Sequence, residues 1–177
     1  MCKTEDATLR TALTVLIDSI ETPLAAGLHN AAAVVMILGE THVSQATVDY
    51  VAERYLEIYL KSCERHRFLN NSDALSVAIK IVKLGTSKGV TEKILRETAK
   101  FGWCEAAESM AAQSLGRKLS RQEILWLINA YVADTVSQAD HTEDELERLA
   151  KKYLTPGMAA KVMKRISKFK EDFSAFD

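Results

Sequence analysis

Cys63 and His66 lie one helical turn apart and are the nearest this sequence comes to a metal-binding pair. A thiol and an imidazole can share a zinc ion, but a structural zinc site needs about four ligands in clustered spacing. The remaining candidate ligands are scattered along the chain: Cys2, Cys104, His29, His42 and His141. We therefore expect no metal and no other cofactor.

His29 is the second candidate for chemistry, because it lies in the most apolar stretch of the chain. With a carboxylate such as Glu40 it could act as a general acid or base. Polar groups in such stretches are more often satisfied by a neighbouring helix or by water, so we expect a structural role.

The common catalytic motifs are missing from the sequence. Neither a phosphate-binding glycine loop, nor the H-E-x-x-H zinc pattern, nor the G-x-S-x-G nucleophile elbow occurs. The sequence therefore points to no catalytic residue. An all-helical enzyme of unrecognised type, with His29 as its candidate acid–base residue, is the third of three functional hypotheses.

The composition favours helices. The chain has 177 residues, of which 47% are apolar, and only two prolines and seven glycines. Alanine and leucine are frequent and strand-like alternation is absent, which is typical of an all-α protein. No linker-like segment divides the chain, so we expect a single all-helical domain over residues 1–177, with about nine helices.

Repeated Leu-Gly pairs suggest how these helices are arranged. Leu84-Gly85 and Leu115-Gly116 each close an apolar run, 31 residues apart, and Leu38-Gly39 closes an earlier one. Glycine after an amphipathic run is a common helix terminator. The spacing predicts stacked antiparallel helical hairpins, a short α-solenoid, with a compact helical bundle as the alternative.

Local signals place several helix ends. Ser44 is a predicted N-cap for a helix that reaches toward Arg67, and Ser120–Glu123 and Thr142–Glu145 match the capping box. Thr155-Pro156 predicts the start of the last helix. One helix is expected to end at Gly102, and a single helix is expected over residues 103–115. The helix that ends at Leu38 is apolar nearly all round and should therefore be central.

Two surfaces are predicted to contact a partner. The first belongs to the helix that carries Tyr50, Tyr55 and Tyr59, and the second to the C-terminal stripe of Phe169, Phe173 and Phe176. A basic amphipathic helix such as the last one can dock into a groove, although a stripe of this kind also serves to cap a helical stack. The leading hypothesis is accordingly a protein–protein interaction module, that is, an adaptor, regulator or complex subunit that presents a helical surface to a peptide or partner helix.

The second hypothesis is binding of RNA or single-stranded DNA. The net charge is only −1, but basic residues dominate 61–121 and 151–177, whereas acidic residues dominate 1–60 and 122–150. If the hairpins stack in register, Lys88, Arg117, Lys118 and Arg121 form a basic strip that could follow a phosphate backbone. Neutralisation between neighbouring hairpins is the simpler reading of this alternation.

The remaining expectations concern location and assembly. Three widely separated cysteines fit a reducing compartment, and the N-terminus has no signal-peptide pattern. No apolar run is long enough to span a bilayer. We therefore expect a cytoplasmic protein without a membrane span, and the sequence leaves open a second copy of the chain as a partner.

Overall fold

The fold is known from a computed structural model, which describes residues 3–18, 25–40, 43–65, 72–134 and 142–174. In these ranges the chain forms nine α-helices and no strand, which confirms the predicted all-α class. The helices are α1 (Lys3–Asp18), α2 (Ala25–Glu40), α3 (Gln45–Arg65), α4 (Ser72–Val82), α5 (Lys88–Phe101), α6 (Cys104–Ser109), α7 (Arg121–Asp134), α8 (Thr142–Tyr153) and α9 (Pro156–Ser174).

The helices fall into two units. The N-terminal unit comprises Met1–Leu95 with Gln113–Gly116, and the C-terminal unit comprises Arg96–Ala112 with Arg117–Asp177. Helix α5 begins in the first unit and ends in the second. The predicted single domain and the regular stacking of hairpins stay predictions.

In the N-terminal unit two pairs of consecutive helices pack together. Helix α3 packs most extensively on α4, α1 packs on α2, and the pairs meet through α1 on α3 and α2 on α4. The fully buried side chains include Leu13, Ile17, Val34, Val51, Tyr55, Leu75 and Ile81. Each such aliphatic side chain contributes about 1.5–3 kcal/mol by leaving water, so this core holds the four helices in place.

The start of α3 and the turn after α4 are tied together by side chains. Ser44 accepts a hydrogen bond from the backbone N–H of Thr47 at 3.3 Å, which confirms the predicted N-cap. Asp49 on α3 accepts the N–H of Ser87 at 2.7 Å, and Gln45 donates to the carbonyl of Gly85. These bonds fix where α5 begins relative to α3.

The three Leu-Gly pairs do not behave alike. Gly85 and Gly116 have φ of 107° and 65°, the left-handed conformation of a helix terminator. Gly39 instead lies inside α2, which continues to Glu40. The prediction that Gly39 ends its helix is therefore wrong, because a Leu-Gly pair does not by itself force a left-handed residue.

In the C-terminal unit α8 packs on both α7 and α9. The buried side chains there include Ala107, Met110, Ile124, Leu127 and Leu149. The single helix predicted over 103–115 is wrong: α6 ends at Ser109 and a π-helical stretch, Met110–Ser114, follows. After this stretch, the N–H of Arg117 donates a hydrogen bond to the carbonyl of Ala111 at 2.9 Å.

Other predicted helix ends are confirmed. The N–H groups of Gly102 and Trp103 bond to the carbonyls of Ala99 and Thr98, which is the Schellman arrangement at the end of α5. Ser120 and Glu123 form the predicted capping box, with reciprocal bonds of 2.7 and 3.3 Å. Helix α9 starts at Pro156 as expected.

Candidate functional site

A groove on the N-terminal unit runs between α2 and α4. Its volume is about 330 Å³ and it is open to solvent. The residues that line it are Ala32, Val35 and Met36 on α2 and Asp73, Ser76, Val77 and Lys80 on α4. Both sets follow the three- and four-residue spacing that places side chains on one face of a helix, so each helix contributes one continuous wall.

The α2 wall is apolar and incompletely covered. Val34 and Leu38 on the same helix are buried, whereas Met36 is 57% exposed. A large apolar side chain that stays in water costs free energy that a partner could recover. Methionine is also flexible, so it can adapt to different contact surfaces. The sequence predicts that this apolar helix is central, but only the face that carries Val34 and Leu38 is buried.

The α4 wall has charged ends and an uncharged middle, formed by the half-buried Ser76 and the buried Val77. Asp73 lies in the first turn of α4 and Lys80 in its last turn, and both are exposed. Each charge suits its helix end, because the helix dipole favours an acid at the N-terminus and a base at the C-terminus. Within the described part of the chain neither residue has an ion-pair partner, so both charges are available to a bound molecule.

The predicted tyrosine surface on α3 faces the interior of its unit. Tyr55 has no exposed surface and Tyr59 is 5% exposed. Tyr50 is half-buried beneath α1: its hydroxyl lies 3.1 Å from Oγ1 of Thr14, and the guanidinium of Arg10 lies 4.2 Å from its ring centre. All three tyrosines therefore take part in packing within this unit, and Tyr50 keeps the most surface in water.

The Tyr55 hydroxyl is the one buried side-chain polar atom without a hydrogen-bond partner in the described residues. Burial raises the pKa of this phenol above its ordinary value of 10. A neutral, unpaired hydroxyl enclosed by core side chains has no access to a substrate. We therefore infer that this unpaired hydroxyl destabilises the folded state.

The predicted phenylalanine stripe falls largely beyond what the structure describes. The backbone of Phe169 and Phe173 belongs to α9. Their side chains and the whole of Phe176 lie outside the described residues. The stripe therefore stays a prediction.

The predicted basic strip is divided between the two units. Lys88 belongs to the N-terminal unit, and Arg117, Lys118 and Arg121 belong to the C-terminal unit. Arg117 is engaged, because it donates hydrogen bonds to both oxygens of Glu123 and to the carbonyl of Lys118. Lys118 and Arg121 are exposed. Binding of nucleic acid through this strip stays a prediction.

A second cluster of charges surrounds Glu108 in the C-terminal unit. Its Oε1 accepts hydrogen bonds from Lys152 at 2.8 Å and Tyr153 at 2.6 Å, and its Oε2 accepts one from Arg148 at 3.0 Å. Arg148 also lies 3.6 Å from Sγ of the buried Cys104. These bonds tie α6 to α8.

The electrostatics of the Glu108 cluster favour a structural role. Burial works against ionisation of Glu108, but the bonds from Lys152, Tyr153 and Arg148 outweigh it and lower its pKa from 4.5 to about 2. A carboxylate with so low a pKa is a weak base at neutral pH. Its oxygens are also already occupied by donors, so we read this cluster as a clamp between helices.

The described residues contain neither a metal-binding cluster nor a helix that could span a membrane. The described residues contain no group of three His, Cys, Asp or Glu side chains arranged to hold a metal ion. Of the sequence candidates, Cys63 is half-buried on α3, whereas His66 lies outside the described residues, as do His42 and His141. The side chain of His29 is likewise not described. No helix in the described ranges is long and apolar enough to cross a bilayer.

The groove residues were not among the predicted site residues. Met36 belongs to an apolar run that gives no sign of which face is covered, because that depends on how α2 packs on α1 and α4. The spacing of Asp73 and Lys80 on α4 is visible in the sequence and was the one available signal.

Comparison with known proteins adds no further guide: no family model matches the chain, and no curated protein or solved structure is significantly similar to it.

Proposed function

We propose that this protein is a protein–protein interaction module and that the α2–α4 groove receives a helix of its partner. The observation that carries the proposal is the exposed Met36 beside a wall whose middle is uncharged and whose two ends carry opposite charges, neither of them paired with another described residue. A helix in a groove is a recurrent mode of recognition, read by apolar anchors one helical turn apart.

The dimensions of the groove support a helical ligand. Asp73 and Lys80 are seven residues apart, so the α4 wall extends over two turns, about 10 Å. An antiparallel or parallel helix lying in the groove would bury the side chains of Met36 and Val35 against its own apolar stripe. Its charged residues would meet Asp73 and Lys80 at the two ends and fix its register.

The charge balance of the groove argues against a polyanion at this place. One aspartate and one lysine give it no net charge, whereas binding of a nucleic acid backbone depends on several unpaired cations. The Glu108 cluster is a poorer candidate for recognition, because each of its charged groups already has a partner.

Site-specific photocrosslinking tests the proposal. A photoreactive phenylalanine analogue replaces Met36 in the full chain, and the protein is irradiated in cells of its native host. The matched control carries the same analogue at Leu60, which is also exposed and apolar but does not line the groove. We expect a discrete adduct from position 36 that is absent from position 60.

A second substitution shows whether such an adduct depends on the groove. Ser76→Arg places a long charged side chain in the middle of the α4 wall and should abolish the adduct, while circular dichroism shows that the helices are retained. Identical adducts from positions 36 and 60, or an adduct that persists in the Ser76→Arg variant, would refute the proposal.

A further inference from the structure

The α4 wall of the groove is complementary to itself when its direction is reversed. Its lining residues, Asp73, Ser76, Val77 and Lys80, are arranged symmetrically about the midpoint between Ser76 and Val77. Reversal of the helix exchanges Asp73 with Lys80, and Ser76 with Val77. An acid therefore takes the place of a base at each end, and the two residues in the middle carry no charge.

We propose that the helix received by the groove is α4 of a second copy of this chain, paired antiparallel about a twofold axis that passes between Ser76 and Val77. The inference rests on the proposed function, because it names the partner of the same groove. Twofold pairing is the commonest form of self-association, and it brings one surface patch of each copy against the same patch of the other.

The charges select this orientation. In the antiparallel pair Asp73 of each copy faces Lys80 of the other, so the interface contains two ion pairs related by symmetry. A parallel twofold pair would instead place Asp73 against Asp73 and Lys80 against Lys80. Like charges in contact across an interface disfavour that arrangement.

The middle of the wall suits close approach of two helices. Ser76 is small and half-buried and Val77 is buried within its own unit, so neither side chain keeps the two helices apart. Helix axes approach to about 8–10 Å when the contact side chains are small. Met36 of each copy lies beside the wall and would cover the incoming helix with a flexible apolar side chain.

Charge exchange between copies provides the test. Self-association of the full chain is measured by sedimentation equilibrium for the wild type, Asp73→Lys, Lys80→Asp and an equimolar mixture of the two variants. Each single variant converts both ion pairs into repulsions, so we expect its self-association to weaken about 10-fold or more. In the mixture every contact is again attractive, and we expect association close to that of the wild type.

Two controls separate the charge effect from a loss of helix. Lys83→Asp changes a nearby exposed lysine that does not line the groove, and it should leave association unchanged. If either charge reversal destabilises α4, the neutral variants Asp73→Asn and Lys80→Gln replace them. They should weaken association about 3-fold each, because they remove the attractions without adding repulsion.

The outcomes distinguish the inference from the proposed function. A monomeric wild type, or a dimer that tolerates both charge reversals, overturns the inference. If the Met36 adduct then contains a different protein and is lost in Ser76→Arg, the proposed function holds with another partner. If the adduct has twice the mass of the chain and the mixed variants restore association, both proposals hold.

Discussion

Arg117 donates two hydrogen bonds to the carboxylate of Glu123, from Nη1 to Oε2 at 2.9 Å and from Nη2 to Oε1 at 2.7 Å. The same carboxylate accepts the backbone N–H of Ser120, and so completes the capping box of α7. One buried side chain thus joins the loop after the π-helical stretch to the first turn of the next helix.

Loss of this carboxylate should destabilise the C-terminal unit. Glu123→Ala removes the cap and leaves the guanidinium of Arg117 without its partner, so we expect the free energy of unfolding to fall by about 1–2 kcal/mol. Both tryptophans, Trp103 and Trp126, lie in this unit, so their fluorescence during urea denaturation reports it. Gln122→Ala, an exposed neighbour in the same turn, is the control and should change stability little. An equal loss in both variants would contradict the assigned role.

Stability of the C-terminal unit should also depend on pH through Glu108. Its pKa is lowered from 4.5 to about 2 in the folded state, so the stabilisation is complete above about pH 5 and disappears as the pH falls toward 2. We expect this group to contribute about 2 kcal/mol, measured by tryptophan fluorescence in urea at a series of pH values. In Glu108→Gln this part of the pH dependence should be absent. An unchanged acid profile in that variant would show that other carboxylates are responsible.

Two of the tyrosines on α3, Tyr55 and Tyr50, should respond oppositely to loss of the hydroxyl. Tyr55→Phe removes a buried hydroxyl without a partner, so we expect stability to stay equal or rise by up to about 1 kcal/mol. Tyr50→Phe breaks the bond to Thr14 and should cost about 0.5–1 kcal/mol. Urea denaturation followed by circular dichroism compares the two. A clear loss of stability in Tyr55→Phe would mean that its hydroxyl is satisfied in solution.

Alanine at Gly39 and at Gly85 should also have opposite effects. Gly39 lies within α2, and a Cβ there would meet Cδ2 of Leu84 at 3.9 Å, an ordinary contact. Gly39→Ala should therefore raise stability by about 0.5 kcal/mol. Gly85 has a φ of 107°, which strains any residue with a Cβ, so Gly85→Ala should cost about 1 kcal/mol or more. Thermal unfolding followed by circular dichroism measures both. Equal changes would mean that the two glycines have the same backbone conformation.

The sequence predicted those features of the fold that depend on a few neighbouring residues. The cap at Ser44, the capping box at Ser120–Glu123 and the helix ends at Gly85 and Gly102 are all local, and all are confirmed. The π-helical stretch after Ser109 was missed, because its residues have no composition that distinguishes them from an ordinary helix.

The candidate site was harder to predict, because it depends on packing between helices. Tyr55 and Tyr59 occupy the same face of α3 as Val48 and Val51, and the sequence does not show that α4 covers that face. In α2 the apolar residues surround the helix, so only the packing determines that Met36 is left in water while Val34 is covered. A surface formed by two helices that are distant in sequence therefore cannot be predicted from the sequence of either helix alone.

The methyl group of Met36 provides the most direct test of the central claim, that the α2–α4 groove is the surface through which copies of the chain pair. Methionine methyl groups labelled with ¹³C are observed by NMR at increasing concentrations of the full-length protein. We predict that the Met36 signal shifts with concentration while that of the buried Met110 does not, and that the Asp73→Lys variant keeps Met36 at its dilute position. A Met36 signal that is unmoved at every concentration, or that moves equally in the variant, would contradict the account.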